Sequence, residues 1–263
     1  MKPAALKAQI QHSPAFVLDV DQVLDNLQPL QALRQATGCK VLYSIKALPL
    51  LSLLSALESQ LDGLAVSSLF EARLAREVLH SAASLHLTTP GLRAEEFTEV
   101  AALCSHISFN SLSQYQTLSA LANGYSQGVR VNPKLSFADD ARYDPCRRYS
   151  KLGVDIALLE AQWPQGIEGL HFHTVFNQRS LEPLRQTVAA LQPLLCRAEL
   201  KWLNLGGGYQ YHRLAELGAL IDLIHGLKEG FVDEVYLEPG KAVVGNAGYL
   251  LTTVLDRFRR DDK

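Results

Sequence analysis

Val41-Leu42-Tyr43-Ser44-Ile45-Lys46 decides how the rest of the chain is read. The run 41–45 is short, apolar and closed by a lysine. Such a run reads as a strand of a parallel sheet whose outer face is covered by helices. Working outward, further short apolar runs recur at 64–66, 85–88, 107–109, 129–131, 170–172, 202–205 and 235–237. Between them, the segments 69–79, 95–103, 112–121, 181–195 and 214–227 carry apolar residues three and four apart, which puts those residues on one helical face.

Counted from Val41, the pattern makes eight strand-then-helix units. Eight such units close naturally into a (β/α)8 barrel of the TIM type, and a doubly wound open sheet is the alternative. Ahead of them lie a strand at 16–19, which falls outside the count and needs another partner, and a helix over 23–36. Residues 1–40 therefore lead into a barrel at 41–245, and 246–263 read as the start of a further β domain. The stretch 132–150 carries Pro133, Asp139, Asp140, Asp144, Pro145, Arg147 and Arg148. It reads as a long loop, of the kind that is often functional or mobile.

Composition narrows the function classes. Apolar residues make up 48 % of the 263 and charged residues 20 %, an ordinary balance for a soluble chain. A net charge of −2 offers no electrostatic case for nucleic acid or an anionic membrane. The polar stretch 1–14 does not read as a signal peptide, and no apolar run is long enough to span a bilayer. Cys39, Cys104, Cys146 and Cys196 are far apart and form no C-x-x-C pair, which argues against a zinc site or a disulfide framework. Reduced thiols in a cytoplasm fit that pattern.

In a barrel, the residues just past each strand face one mouth, where barrel enzymes place their chemistry. Here they are Lys46, then Ser67 and Ser68, Asn110, Asn132, His173, Gly206-Gly207-Gly208 and Glu238-Pro239-Gly240. Lys46 is either a lysine snorkelling to water or an amine partly desolvated for imine formation. The three glycines, ahead of a helix expected near Tyr209, suit a phosphate if their N–H groups are bare, or else form a tight turn needing positive φ. Glu238 is either a solvated turn residue or a mouth carboxylate that needs a partner such as a protonated pyridine nitrogen. His171 and His173 share a face by strand alternation, and His173 could stack on a planar ring. Arg130, inside a strand, is unusual unless something anionic meets it.

Taken in order, these runs resemble the fold-type III pyridoxal phosphate (PLP)-dependent decarboxylases, the group of ornithine, diaminopimelate and carboxynorspermidine decarboxylases, with the last nearest in pattern. The resemblance covers nearly the whole chain. It is carried by Phe16-Val17-Leu18-Asp19, Tyr43-Ser44-Ile45-Lys46, Ala65-Val66-Ser67-Ser68 with Glu71, Arg130-Val131-Asn132-Pro133, Tyr149-Ser150-Lys151-Leu152-Gly153-Val154, the run 169–173, Leu205-Gly206-Gly207-Gly208 and Leu237-Glu238-Pro239-Gly240. It implies a barrel that binds pyridoxal 5'-phosphate. Lys46 would hold the cofactor as a Schiff base and His173 would stack on its ring. Gly206, Gly207 and Gly208 would cradle the phosphate, Glu238 would pair with the pyridine nitrogen, and Arg130 would contact the ring hydroxyl. Ser67 and Gly240 belong to the same binding set. It also implies a cytoplasmic homodimer that decarboxylates a carboxylated polyamine or a diamino acid.

Three departures stand out. The family carries a second, β-rich domain, which supplies a cysteine proton donor to the opposite subunit, and 246–263 read as such a domain cut short. Thr174-Val175-Phe176-Asn177-Gln178 stands where carboxynorspermidine enzymes typically have a cysteine and a glutamate after the histidine. Lys241 follows Glu-Pro-Gly, where relatives differ, and would either assist phosphate binding or be solvated. Two other functions fit the scaffold: an amino-acid racemase, and a non-catalytic or regulatory single-domain barrel that binds PLP.

Overall fold

The computed structural model describes residues 7–10, 12–80, 82–138, 140–197 and 199–261. Parts of the N-terminal stretch, Asp139 in the long loop, and Asp262 and Lys263 of the tail lie outside them.

Strand β1 (Ala15–Leu18) leads into helix α1 (Val20–Thr37). Asp19 caps that helix by accepting the Gln22 N–H, and Gly38 ends it in the left-handed conformation at φ 66°. Next come β2 (Lys40–Ser44), α2 (Leu51–Leu57), β3 (Gly63–Val66), α3 (Leu69–Val78), β4 (Ser84–Thr88), α4 (Ala94–Leu103), β5 (His106–Phe109) and α5 (Leu112–Leu118). The second half holds β6 (Ser126–Asn132), β7 (Val154–Asp155), α6 (Ile156–Ala161), β8 (Gly169–Phe172), α7 (Glu182–Arg197), β9 (Leu200–Asn204), α8 (Leu217–Gly230), β10 (Val232–Leu237), α9 (Lys241–Val244) and β11 (Gly248–Leu251).

Eight parallel strands run β2-β3-β4-β5-β6-β8-β9-β10, and β10 pairs with β2 to close the ring. The expected barrel is therefore the fold, and the open sheet is excluded. Closure explains why β2 and β3 are almost entirely buried: one face meets the barrel interior and the other the helices. The helices enter in a repeated way. Ser68 and Ser111 each follow a strand end and accept the N–H of the residue three places on, Glu71 and Gln114. The Glu71 and Gln114 side chains reach back to the N–H groups of Ser67 and Asn110 at 2.6 and 2.7 Å. These are capping boxes whose return bond is shifted by one residue.

Below the mouth, the barrel interior is filled largely by rings, with Leu42 and Ala65 packed among them. Trp202 from β9 lies across Gly128 and Gly169, where an added Cβ would come within 2.2 and 1.9 Å of the indole. Its Nε1–H donates to Ser126 Oγ at 2.7 Å. His86 stacks on His106 at 4.0 Å, with Tyr236 beside it at 4.4 Å.

The structure adds to the expectations or departs from them in four places. The leading strand has a partner: β1 pairs antiparallel with β11, Ala15 to Leu251 and Leu18 to Gly248. Past β11, the tail 252–260 has no regular structure. The helix expected near Tyr209 is absent. Tyr209 bridges to Gln178, a single 3-10 turn covers Tyr211–Arg213, and α8 begins only at Leu217. Two short helices, α2 and α6, and strand β7 were not expected. Leu50, Leu53, Leu54 and Leu57 do carry the helical spacing of α2. β7 is an addition outside the ring, pairing with Val131 and Asn132 where β6 outruns β5.

Candidate active site

The C-terminal ends of the barrel strands surround a cavity of about 400 Å³. It brings together five of the expected residues: Lys46, Ser67, Arg130, His173 and Glu238. Gly206, Gly207, Gly208 and Gly240 do not line it. Sequence reasoning assigned no role to several residues that do: His171, Ser44, Thr88, and Tyr143, Asp144 and Arg147 from the long loop.

Lys46 follows β2 on a 3-10 turn and is exposed as a residue. It lines the cavity, and among the described residues no carboxylate lies within ion-pairing distance. Ser67 gives both its N–H and its hydroxyl to Glu71, at 2.6 and 3.0 Å.

Glu238 directly follows β10. Its Oε1 accepts from Asn204 Nδ2 at 2.7 Å, and its Oε2 lies 3.6 Å from His171 Nε2, beyond hydrogen-bond length. Burial is the largest single influence and works against the Glu238 anion, but its interactions with His171, then Lys46 and His86, together outweigh it. The carboxyl is held well below the usual carboxylate range. His171 is pushed down by burial and is neutral at neutral pH. His173 is likewise pushed down to about 3, by burial first and then by Arg130 and Lys46. The Gly207 N–H donates to His173 Nδ1 at 3.2 Å. That bond makes Nδ1 the lone-pair nitrogen and puts the proton of the neutral ring on Nε2.

Arg130 sits on β6 in register with His171 and is 8 % exposed. Among the described residues its guanidinium has neither an ion pair nor a hydrogen bond. Burial lowers its pKa, and Glu238 raises it. A buried cation without a partner is costly, so the site is built for an anionic or electron-rich group.

The glycine triplet has a different role from a bare cradle. Gly206 donates its N–H to Asn204 Oδ1 at 2.9 Å, and the Gly207 N–H is the one given to His173. Each glycine is required by close backbone approach: a Cβ on Gly206, Gly207 or Gly208 would come 2.3, 2.1 or 2.3 Å from the carbonyl oxygens of Phe172, Glu238 and Val175. Gly206 and Gly208 also have positive φ, 67° and 98°. With no helix starting near Tyr209, only Gly208 keeps an uncommitted N–H. Asn204 is the residue that sequence reasoning missed here, because it lies inside a strand and not past its end. It ties the glycine turn to Glu238 with one amide.

Asn110 and Asn132 are structural. Asn110 holds Lys151 O and the Gly153 N–H at 2.8 and 2.9 Å, and Asn132 holds Leu152 O at 3.0 Å. Together they pin the return of the long loop. Its crest is stacked in place, Tyr143 on Phe176 at 5.0 Å, and Lys241 Nζ lies 5.6 Å from the same Phe176 ring.

Residues 24–245 match the family model described as pyridoxal-dependent decarboxylase, pyridoxal binding domain. The chain belongs to the pyridoxal-dependent decarboxylases. It is 32 % identical over 250 residues to a carboxynorspermidine/carboxyspermidine decarboxylase of Campylobacter jejuni, which covers 93 % of this chain and 64 % of that protein. It is 33 % identical over 253 residues to a carboxyaminopropylagmatine decarboxylase of Synechocystis, with the same coverage, 93 % and 64 %. The chain thus spans a little under two thirds of the length of these relatives. The crystal structure of carboxynorspermidine decarboxylase from Campylobacter jejuni, complexed with norspermidine, superposes with a TM-score of 0.83 at 30 % identity, covering 96 % of this chain and 66 % of that one. The cofactor of this domain is pyridoxal 5'-phosphate, and the donor set suits it: an amine open to the cavity, an ionised carboxylate with one oxygen free of hydrogen bonds, and an unpartnered guanidinium.

Proposed function

We propose that this chain is the cofactor-binding barrel of a decarboxylase that acts on a carboxylated polyamine or a related diamino acid, such as carboxynorspermidine or carboxyspermidine. The observation that carries the reading is the convergence of Lys46, Arg130, His173 and Glu238 on one cavity, each with its polar end uncommitted or held ready. Bound there, pyridoxal 5'-phosphate supplies an electron sink for the pair left behind when carbon dioxide departs.

The chain's own residues then divide the work. Lys46 offers the amine that anchors the cofactor aldehyde, as its place at the open end of β2 allows. Glu238, ionised, keeps the proton on the pyridine nitrogen, and Asn204 holds the carboxylate in its rotamer. His173 presents a neutral ring, orientated by the Gly207 N–H, to the cofactor's face. Arg130 would donate to the ring hydroxyl, and Ser67 would belong to the same binding set. The phosphate would fall to Gly208 and Gly240 at the cavity's margin, and Gly206 and Gly207 would contribute the turn that shapes the site. The reading extends to a cytoplasmic homodimer, as the resemblance implies.

The test is spectroscopic. Purified protein with the cofactor develops a visible absorbance band, and Lys46→Ala abolishes it while leaving the far-UV circular dichroism unchanged. A band that survives in the Lys46→Ala protein overturns the assignment of Lys46. Release of carbon dioxide from carboxynorspermidine, rather than racemisation of an amino acid, separates the decarboxylase from a racemase.

A further inference from the structure

We infer that Asp144 selects substrates that carry a second, distal ammonium group. The inference rests on reading this cavity as the decarboxylase site.

Asp144 follows the 3-10 turn Ala141–Tyr143 in the loop after β6, lines the cavity, and is only 5 % exposed. Its Oδ1 accepts the Cys146 N–H at 2.8 Å, which holds the carboxylate against its own turn. Its other oxygen has no partner among the described residues. Among the described residues, neither arginine nearest in sequence, Arg142 or Arg147, pairs with it. Arg142 is paired with Asp140, Nη2 to Oδ2 at 2.6 Å and Nε to Oδ1 at 3.0 Å, and Arg147 Nη1 reaches Ala141 O at 3.5 Å. Arg130 and Asp144 both lie close enough to Cys146 to act on its thiol by charge, yet they form no ion pair with each other.

A buried carboxylate without a cation is costly, and the fold keeps this one. Among the described residues, only two acidic ones line the cavity, Glu238 and Asp144. On the proposed reading the free oxygen of Glu238 is reserved for the cofactor's pyridine nitrogen, which leaves Asp144 as the acid open to a substrate cation. The substrate's α-amine is the group that must meet the cofactor near Lys46. A cation at Asp144 is therefore a second one, further along the substrate. A diamino acid or carboxylated polyamine has such a group, and a simple apolar amino acid does not.

The experiment uses the full chain, with and without pyridoxal 5'-phosphate, and measures binding of 1,3-diaminopropane, 1,4-diaminobutane and n-propylamine by calorimetry. Asp144→Asn keeps an oxygen for the Cys146 N–H and removes only the charge. We expect it to weaken binding of the diamines by about tenfold or more, as loss of a charge-assisted bond does. Binding of n-propylamine changes by less than about twofold. Asp144→Glu keeps diamine binding but shifts the preference towards the shorter diamine, because its carboxylate reaches one methylene further. Equal losses for diamine and monoamine, no loss in Asp144→Asn, or a wild-type chain that does not prefer diamines overturns the inference. The visible band recorded on the same samples tests the cofactor reading separately. Its absence counts against Lys46 and leaves the charge discrimination at Asp144 to be judged from the cofactor-free titrations.

Discussion

At Glu238, burial and a positive neighbourhood pull in opposite directions, and the anion prevails. An ionised acid lining the cavity is the partner that a protonated pyridine nitrogen needs. On the proposed reading, Glu238→Gln should keep the amide bond from Asn204 and lose the charge. Affinity for pyridoxal 5'-phosphate should fall by about tenfold or more, since a hydrogen bond to a charged group contributes roughly 1.5–3 kcal/mol. The cofactor-free protein should be no less stable, because a buried charge has been removed. Fluorescence titration with the cofactor, alongside urea denaturation without it, checks both halves. Unchanged affinity would show that Glu238 does not meet the ring. Lys46, His173 and Glu238 were legible because each stands just past a strand, and that rule needs only the period of the chain. Asn204 and Asp144 were not. One lies inside a strand and the other in a loop, and nothing in their local sequence says which way they face.

At the scale of elements, β9 depends on what its neighbours lack. Trp202 can lie across β6 and β8 only because Gly128 and Gly169 present no side chain. Gly169→Ala would drive a methyl into the indole, where the built Cβ stands 1.9 Å from the ring. Overpacking of this kind typically destabilises by about 1–3 kcal/mol. A lowered urea midpoint with an unchanged slope is the expected result, and a midpoint equal to that of the wild type would mean that Trp202 is not tightly held. The glycine triplet teaches the same lesson at the mouth. Read as a string, it offers three bare N–H groups. In the fold, two of them are already given to Asn204 and His173, and the glycines serve chiefly to let three strand ends come together.

For the whole molecule, the barrel interior holds a group of histidines whose pKa values are all pushed down, chiefly by burial: His86, His106, His171 and His173. Among the described residues, neither ring nitrogen of His86 has a hydrogen-bond partner. The folded chain refuses protons that the unfolded chain takes up near the ordinary value of 6.5. Above that pH both states are neutral and these rings add no pH dependence. As pH falls from 6.5 towards the folded values, about 4 for His106 and about 3 for His173, stability should be lost progressively. The loss approaches about 1.4 kcal/mol per pH unit for each fully displaced, buried group. Glu238 acts in the same direction at lower pH, since its folded value is depressed and its contribution disappears as it becomes protonated. Thermal melts between pH 8 and 4 should therefore be flat at first and then fall steadily below about 6.5. A melting temperature constant down to pH 4.5 would mean that the buried histidines are already charged in the folded state.

The sequence by itself determined the alternation of strands and helices, the count that closes a barrel, and the set of side chains at its mouth. These follow from hydrophobic period and strand ends, which are local properties. Only the tertiary structure decided the partner of the leading strand, which is β11, some 230 residues away in the chain. It alone decided which glycine N–H groups remain to be used, and that Lys46 stands exposed at the rim. It also buried Asp144 and Arg130 in one cavity without pairing them. Each of these depends on contacts between segments far apart in the chain, and no local pattern records them.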